Sequence, residues 1–220
     1  MRKIMICLAN SKKYGQRCIA GIEVVRKPAG GWRIVKKNDK PKWLRPVSSY
    51  SNHGEVKESE VENIQLLDIV SFEMTQQVGR GYQHENVLFQ KKSLQKISLI
   101  GRSAKNLDVL TDASCESLFG DTDRRILAND IHAVSHSLVF LKVHSIKIYY
   151  PIVYKTMSPR AKISFNNRTY DLPVTDVEMI WKLYENPNLL EAFDDLYCTF
   201  SLGVLFEKYH YKIAAGIIYV

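Results

Sequence analysis

Paired cysteines are missing from this sequence. Its four, Cys7, Cys18, Cys115 and Cys198, stand far apart, with no CxxC pair among them. That excludes a disulfide scaffold and a zinc ribbon, whose ligands come in pairs a few residues apart. Cys7 and Cys198 lie in apolar, strand-like runs and read as reduced core residues. Cys18 follows Arg17, whose charge favours a thiolate, but a strand cysteine facing the core is the plainer expectation. Also missing is any apolar run near the ~20 residues of a membrane helix. The longest, 213–220, is strand-length. The opening MRKIMICLANSKKYGQRC has an apolar stretch of only about six residues and no small-residue cleavage site, unlike a signal peptide. The expectation is a soluble, cytoplasmic chain with no membrane partner. Zinc-protease, P-loop, GxSxG and kinase signatures are absent too, so no catalytic residue, metal ligand or cofactor is assigned.

Acids are scarce at one end only. Residues 1–48 hold 13 of the 31 Lys and Arg but two of the 23 Asp and Glu, a net +11. Residues 49–220 keep 18 bases and 21 acids, a net −3. A basic first fifth points to an anionic partner there, a nucleic acid or nucleotide. The alternatives are a solvated basic surface, an acidic protein, or a membrane surface, the last disfavoured because these bases do not sit on an amphipathic helix.

What is present is β periodicity. Short runs at 3–9, 17–26, 32–37, 42–48 and 66–75 read as strands, with Pro46 suggesting an edge, and 83–90 and 94–100 are candidates for further short ones. Between the first two, 10–16 reads as a polar loop. Pro28-Ala29-Gly30-Gly31 reads as a hairpin turn, because glycine permits positive φ. The pattern lapses over 101–134, taken as a linker with local helix, and resumes at 138–143 and 146–154. Asn166-Asn167 marks a type I′ hairpin. Thr175 with Glu178 forms a capping box for a helix to about residue 185. Strands at 197–202 and 209–220 close the chain. Two sets of about five strands, one holding a helix, predict an all-β chain of two small OB-like five-stranded barrels in tandem. The expected boundaries are 1–100, 101–134 and 135–220.

Several ordered segments carry a resemblance. CLANSKKYGQRCIAG at 7–21, WLRPVS at 43–48, LLDIV at 66–70, QHEN at 83–86, VTD at 174–176, and SLG at 201–203 with YKIAA at 211–215 resemble motifs of the bacterial dual OB-containing domain family. Val204-Leu205 stand where that family has Glu-Pro, Val177 where it has Pro, and 27–42 looks like an insertion. The resemblance implies two OB-like barrels and a nucleic-acid or nucleotide-binding role in bacterial defence, with no established catalytic activity.

The candidate binding residues follow from the strand pattern. Asn10, Ser11, Lys12, Lys13 and Arg17 sit between the first two strands, which in an OB-fold border the binding face. Lys and Arg suit phosphates; Asn and Ser suit sugar or base. Trp43 and Arg45 share one strand face, for stacking and phosphate contact, or else Trp43 is core and Arg45 pairs with a carboxylate such as Asp68. Gln83 and Asn86 could read a base edge, or belong to a buried network pinning a loop. Tyr149, Tyr150, Tyr154, Tyr170 and Tyr197 read as barrel packing before a stacking platform. His132 and His136, with strand-like flanks, do not suit a metal, and the acids of 55–62 read as a solvated face. The first expectation is a non-catalytic module for single-stranded DNA, RNA or a nucleotide. The others are an interaction subunit of a defence complex and an enzyme acting on nucleic acid.

Overall fold

The structure, a computed structural model, describes residues 1–51, 53–120, 123–153, 156–157 and 159–220, with the side chains of 152, 153, 156 and 157 set aside. Strands take 50% of the chain and helices 16%, so the protein is mostly β, as its periodicity requires. It divides into two units, Met1–Leu110 and Thr111–Val220.

The first unit is built from β1 (Arg2–Lys13), β2 (Gln16–Arg26), β3 (Trp43–Val47), β4 (Asp68–Gln77) and β5 (Asn86–Phe89). β1 pairs with β2 through its second half and with β4 through its first, and a bulge between Cys7 and Ala9 bends it between them. The ring runs β1-β2-β3-β5-β4 and returns to β1. Only the β3–β5 seam is parallel, with Arg45 opposite Asn86 and Val47 opposite Leu88. This is a closed five-stranded barrel. β1 and β2 cross so closely that a Cβ on Gly21 would lie 2.0 Å from the Ile6 carbonyl oxygen, so no other residue fits there. Met5, Cys7, Ile19, Leu44, Val70, Phe72, Val87 and Phe89 fill the interior, and Val56, Val61, Ile64 and Leu94 join them from the connections. Each such side chain adds roughly 1.5–3 kcal/mol of burial.

Two local expectations change here. Residues 10–16 are not an open loop: β1 runs to Lys13, and only Tyr14 and Gly15 turn, at φ 47° and 76°, the type I′ geometry that matches strand twist. β3 is not an edge strand either. It lies between β2 and β5, and Pro46 is tolerated because the β2 ladder stops at Trp43 and Leu44. The turn at residues 28–31 forms as expected, with Gly30 and Gly31 at positive φ. Beyond it the β2–β3 connection is an arm, in which Trp32–Ile34 pairs with β2 and Lys36–Lys37 pairs with Lys40–Pro41. Helix α1 (Ala104–Asp108) is capped by the Ser103 hydroxyl, which accepts from the Asn106 amide at 3.3 Å.

The second unit contains β6 (Arg125–Leu127), β7 (Leu138–Val143), β8 (Ser145–Tyr149), β9 (Arg160–Phe165), β10 (Arg168–Pro173), α2 (Val177–Glu185), β11 (Leu196–Phe206) and β12 (Tyr209–Tyr219). One sheet is β6-β12-β11-β7 and another is β8-β9-β10. β7 and β8 are consecutive, with His144 between them, so one bent stretch serves both sheets. Just past β10, Val174 forms an isolated parallel bridge with Ala214 of β12, backed by the Thr175 amide donating to the Ala214 carbonyl at 2.9 Å. The result is a half-barrel with the strand order of the first unit, open along its parallel seam. Asn166 and Asn167 take positive φ of 46° and 58°, the expected hairpin. The cap of α2 is Asp176 rather than Thr175, its carboxylate accepting from the Met179 amide at 3.1 Å. Residues 101–134, expected as a linker, divide between the units: α1 falls in the first, and β6 pairs with β12 in the second.

Candidate nucleic-acid interface

β2 and β3 carry a basic arm at one end and a cluster of loops at the other. At the loop end, the Tyr14-Gly15 turn leans on the connection after β3. The Lys13 ammonium donates to the His53 carbonyl at 2.5 Å, and the Tyr14 ring stacks on His53 with centroids 4.3 Å apart. Arg17 pairs with Glu58, the Glu58 amide donates to Gln16 Oε1 at 2.9 Å, and Arg17 and Val56 exchange backbone hydrogen bonds. Partial burial holds the Lys13 ammonium below the ordinary lysine range. Neighbouring Arg45 acts the same way, while Cys18 and Glu55 oppose it. Tyr14 remains 58% exposed, an open ring beside fixed cations.

Arg45 lies deeper than its residue type suggests. It is 4% exposed and Glu85 3%, with the guanidinium 3.0 Å from the Glu85 carboxylate. The same nitrogen donates to Asn86 Oδ1 at 3.3 Å, and the Asn86 amide reaches Gln83 Oε1 at 3.4 Å. Burial pushes the Tyr82 hydroxyl up to about 12; the Arg45 charge lowers it and Glu85 raises it. Asp68, the partner weighed from sequence, instead pairs with Lys96 at 2.8 Å and accepts from the Gln65 amide.

The nine expected residues thus separate. Lys12 is exposed, Lys13 is half-buried against His53, and Arg17 is tied to Glu58. Asn10 donates to the Ile64 carbonyl at 2.8 Å, and Ser11 is buried with its hydroxyl 3.4 Å from the Cys18 carbonyl. Both bonds fasten the hairpin, with Ser11 buried and Asn10 half-buried. Trp43 is half-buried, on the side of β3 opposite the core residue Leu44. Buried Arg45 and half-buried Gln83 and Asn86 form one network at the start of β5.

The arm holds exposed bases that the strand pattern does not single out. Arg26, Lys27, Arg33, Lys36 and Lys37 are exposed there and make no ion pair among the described residues. Lys42, by contrast, shares the buried Glu23 carboxylate with Lys3, both at 2.6 Å. The signal was in the sequence, as the +11 charge of residues 1–48, but strand pattern alone did not say which bases stay in water.

Elsewhere the candidates are structural. Tyr170 and Tyr197 are core residues, the Tyr149 hydroxyl donates to Asp171 at 2.7 Å, and Tyr154 lies outside the described residues. His132 stands in a 3-10 segment, Ala128–Ala133, not a strand, and its ring bonds the Asn129 carbonyl at 2.7 Å. Among the described residues no three His, Cys, Asp or Glu side chains gather as a metal group, and no helix is long and apolar enough to cross a membrane.

No curated protein matches the chain. A family model described as the dual OB-containing domain matches residues 3–217. The two units share the strand order that this description implies, and the chain belongs to the dual OB-containing domain family.

Proposed function

We propose that the first barrel binds single-stranded nucleic acid, DNA or RNA, without catalysing a reaction. The observation that carries this is the placement of exposed bases: Lys12 beside an open tyrosine at the β1–β2 turn, and Arg26, Lys27, Arg33, Lys36 and Lys37 on the arm. β2 separates the two groups by 11 residues, roughly 35 Å at strand rise. OB-folds bind oligonucleotides on the β2–β3 face and with the loops after β1 and β4. Exposed cations at both ends of that face suit a phosphate backbone, with Tyr14 and half-buried Trp43 placed for stacking. A bacterial defence complex is the setting proposed for this binding.

The test is fluorescence anisotropy with labelled single-stranded DNA and RNA across salt concentrations. Affinity falls with salt, because each neutralised phosphate releases counterions. Lys36→Ala with Lys37→Ala lowers the log–log salt slope by about 1.4 and weakens all base sequences alike. No binding at low salt, or binding indifferent to the arm and to Lys12, would end this proposal in favour of a protein-interaction role.

A further inference from the structure

Residues 57–64, after β3, and 91–96, after β5, face each other across a cleft of about 690 Å³. Lys57, Lys91, Lys92 and Lys96 line it together with Asn63 and one carboxylate, Glu60. The two segments lie more than 25 residues apart in sequence, and only the barrel brings their cations together. Residues 49–220 are acidic overall, so this concentration is local.

Not all four cations are available. Lys96 pairs with Asp68 at 2.8 Å, and Lys91 sits over the Tyr50 ring, 5.5 Å from its centre. Lys57 and Lys92 are exposed and make no ion pair among the described residues. On the acidic side, Glu58 is held by Arg17, and Glu62 is exposed and not part of the lining. A concave wall of ammonium groups with amide and hydroxyl neighbours suits an anion with several oxygens, and concavity focuses the field on it.

The cleft also continues the surface described above. Lys57 adjoins Glu58, which is bound by Gln16 and Arg17 at the base of the turn. Tyr50 and His53, from one connection, contact Lys91 on the cleft side and Lys13 and Tyr14 on the turn side. We infer that the cleft holds phosphate groups of the same single strand, which runs on past the β1–β2 turn between residues 57–64 and 91–96. This rests on the nucleic-acid role proposed above.

Oligothymidylates of two lengths and inorganic tripolyphosphate test it. The variant is Lys57→Gln with Lys92→Asn. Asn suits position 92, where φ is +61°, because it tolerates the left-handed region. The variant is expected to bind a long oligothymidylate about tenfold more weakly, with the salt slope reduced by about 1.4. A short one, long enough only for the turn and β2–β3 face, binds unchanged, whereas a Lys12→Ala variant weakens both. Tripolyphosphate should shift the backbone amide signals of Lys57, Asn63 and Lys92 saturably. If the long oligothymidylate binds the cleft variant as tightly as the parent while Lys12→Ala weakens it, the cleft inference falls and the nucleic-acid role stands. If neither length binds the parent protein, the nucleic-acid role falls and takes the strand path with it; saturable tripolyphosphate shifts would then support the cleft's anion chemistry alone, and their absence would overturn that too.

Discussion

Replacing Arg45 by alanine is expected to destabilise the first unit by about 3–5 kcal/mol, well beyond the loss of one surface contact. Arg45 and Glu85 are both nearly dry, and their pair spans the only parallel seam of the barrel. The Arg45 amide also donates to the Glu85 carbonyl at 3.0 Å, so the pair and the first ladder bond fix the start of β5 together. Removing the guanidinium leaves a buried carboxylate without its counter-charge and Asn86 Oδ1 without a donor. For a unit of this size such a loss lowers the melting temperature by roughly 12 °C or more. Arg45→Met combined with Glu85→Leu removes both charges and is expected to recover most of the stability, since well-packed apolar replacements of buried pairs are often neutral or better. Chemical denaturation of the single and double variants measures this. Were Arg45→Ala as stable as the parent but defective in oligonucleotide binding, Arg45 would be a phosphate ligand after all.

Arg45 also shows where sequence stops being informative. Its alternation with Leu44 places it correctly on the side of β3 opposite the core, yet period two says nothing about whether that side is wet. A carboxylate 40 residues later decides it, and only the parallel β3–β5 seam brings Glu85 alongside. The local features were legible because their physics is local. Gly30-Gly31 and Asn166-Asn167 can take positive φ where their neighbours cannot, and alternating apolar residues mark the barrel strands. The helix before the last two strands was legible too, although its cap sits one residue later than the capping box suggested. β6 escaped notice because three residues, Arg125–Leu127, carry no readable period. The cleft lysines escaped because a count along the chain averages them with the acids of 55–62. The arm stood in between, since its charge was visible from composition and its exposure was not.

Asp176→Ala is expected to destabilise the second unit by about 2–4 kcal/mol. Asp176 is 1% exposed and accepts from two elements at once. The Met179 amide, in the first turn of α2, lies 3.1 Å from Oδ1, and the Ile217 amide, in β12, lies 2.7 Å from Oδ2. Its loss removes the helix cap at the Met179 amide, worth about 1 kcal/mol, and strands the buried Ile217 N–H at about 1–3 kcal/mol. The same burial gives a pH signature. Desolvation pushes the carboxyl up to about 6 despite the two hydrogen bonds, with Glu178 adding to the rise and Lys182 opposing it. A folded-state value above the unfolded one means the folded chain binds the extra proton. Stability from this group is therefore fully present below the unfolded value of about 4 and is lost as pH rises through about 6. Asp176→Asn keeps one acceptor and does not titrate, so it isolates that contribution. Urea unfolding from pH 7.5 to pH 4, read beside the hydrogen exchange of the Ile217 amide, measures the difference between parent and Asn variant. The parent should gain about 2–3 kcal/mol on the variant as pH falls across this range. A difference that stays flat would mean the carboxyl titrates at its ordinary value, and the clasp between α2 and β12 would then hold without a desolvated charge.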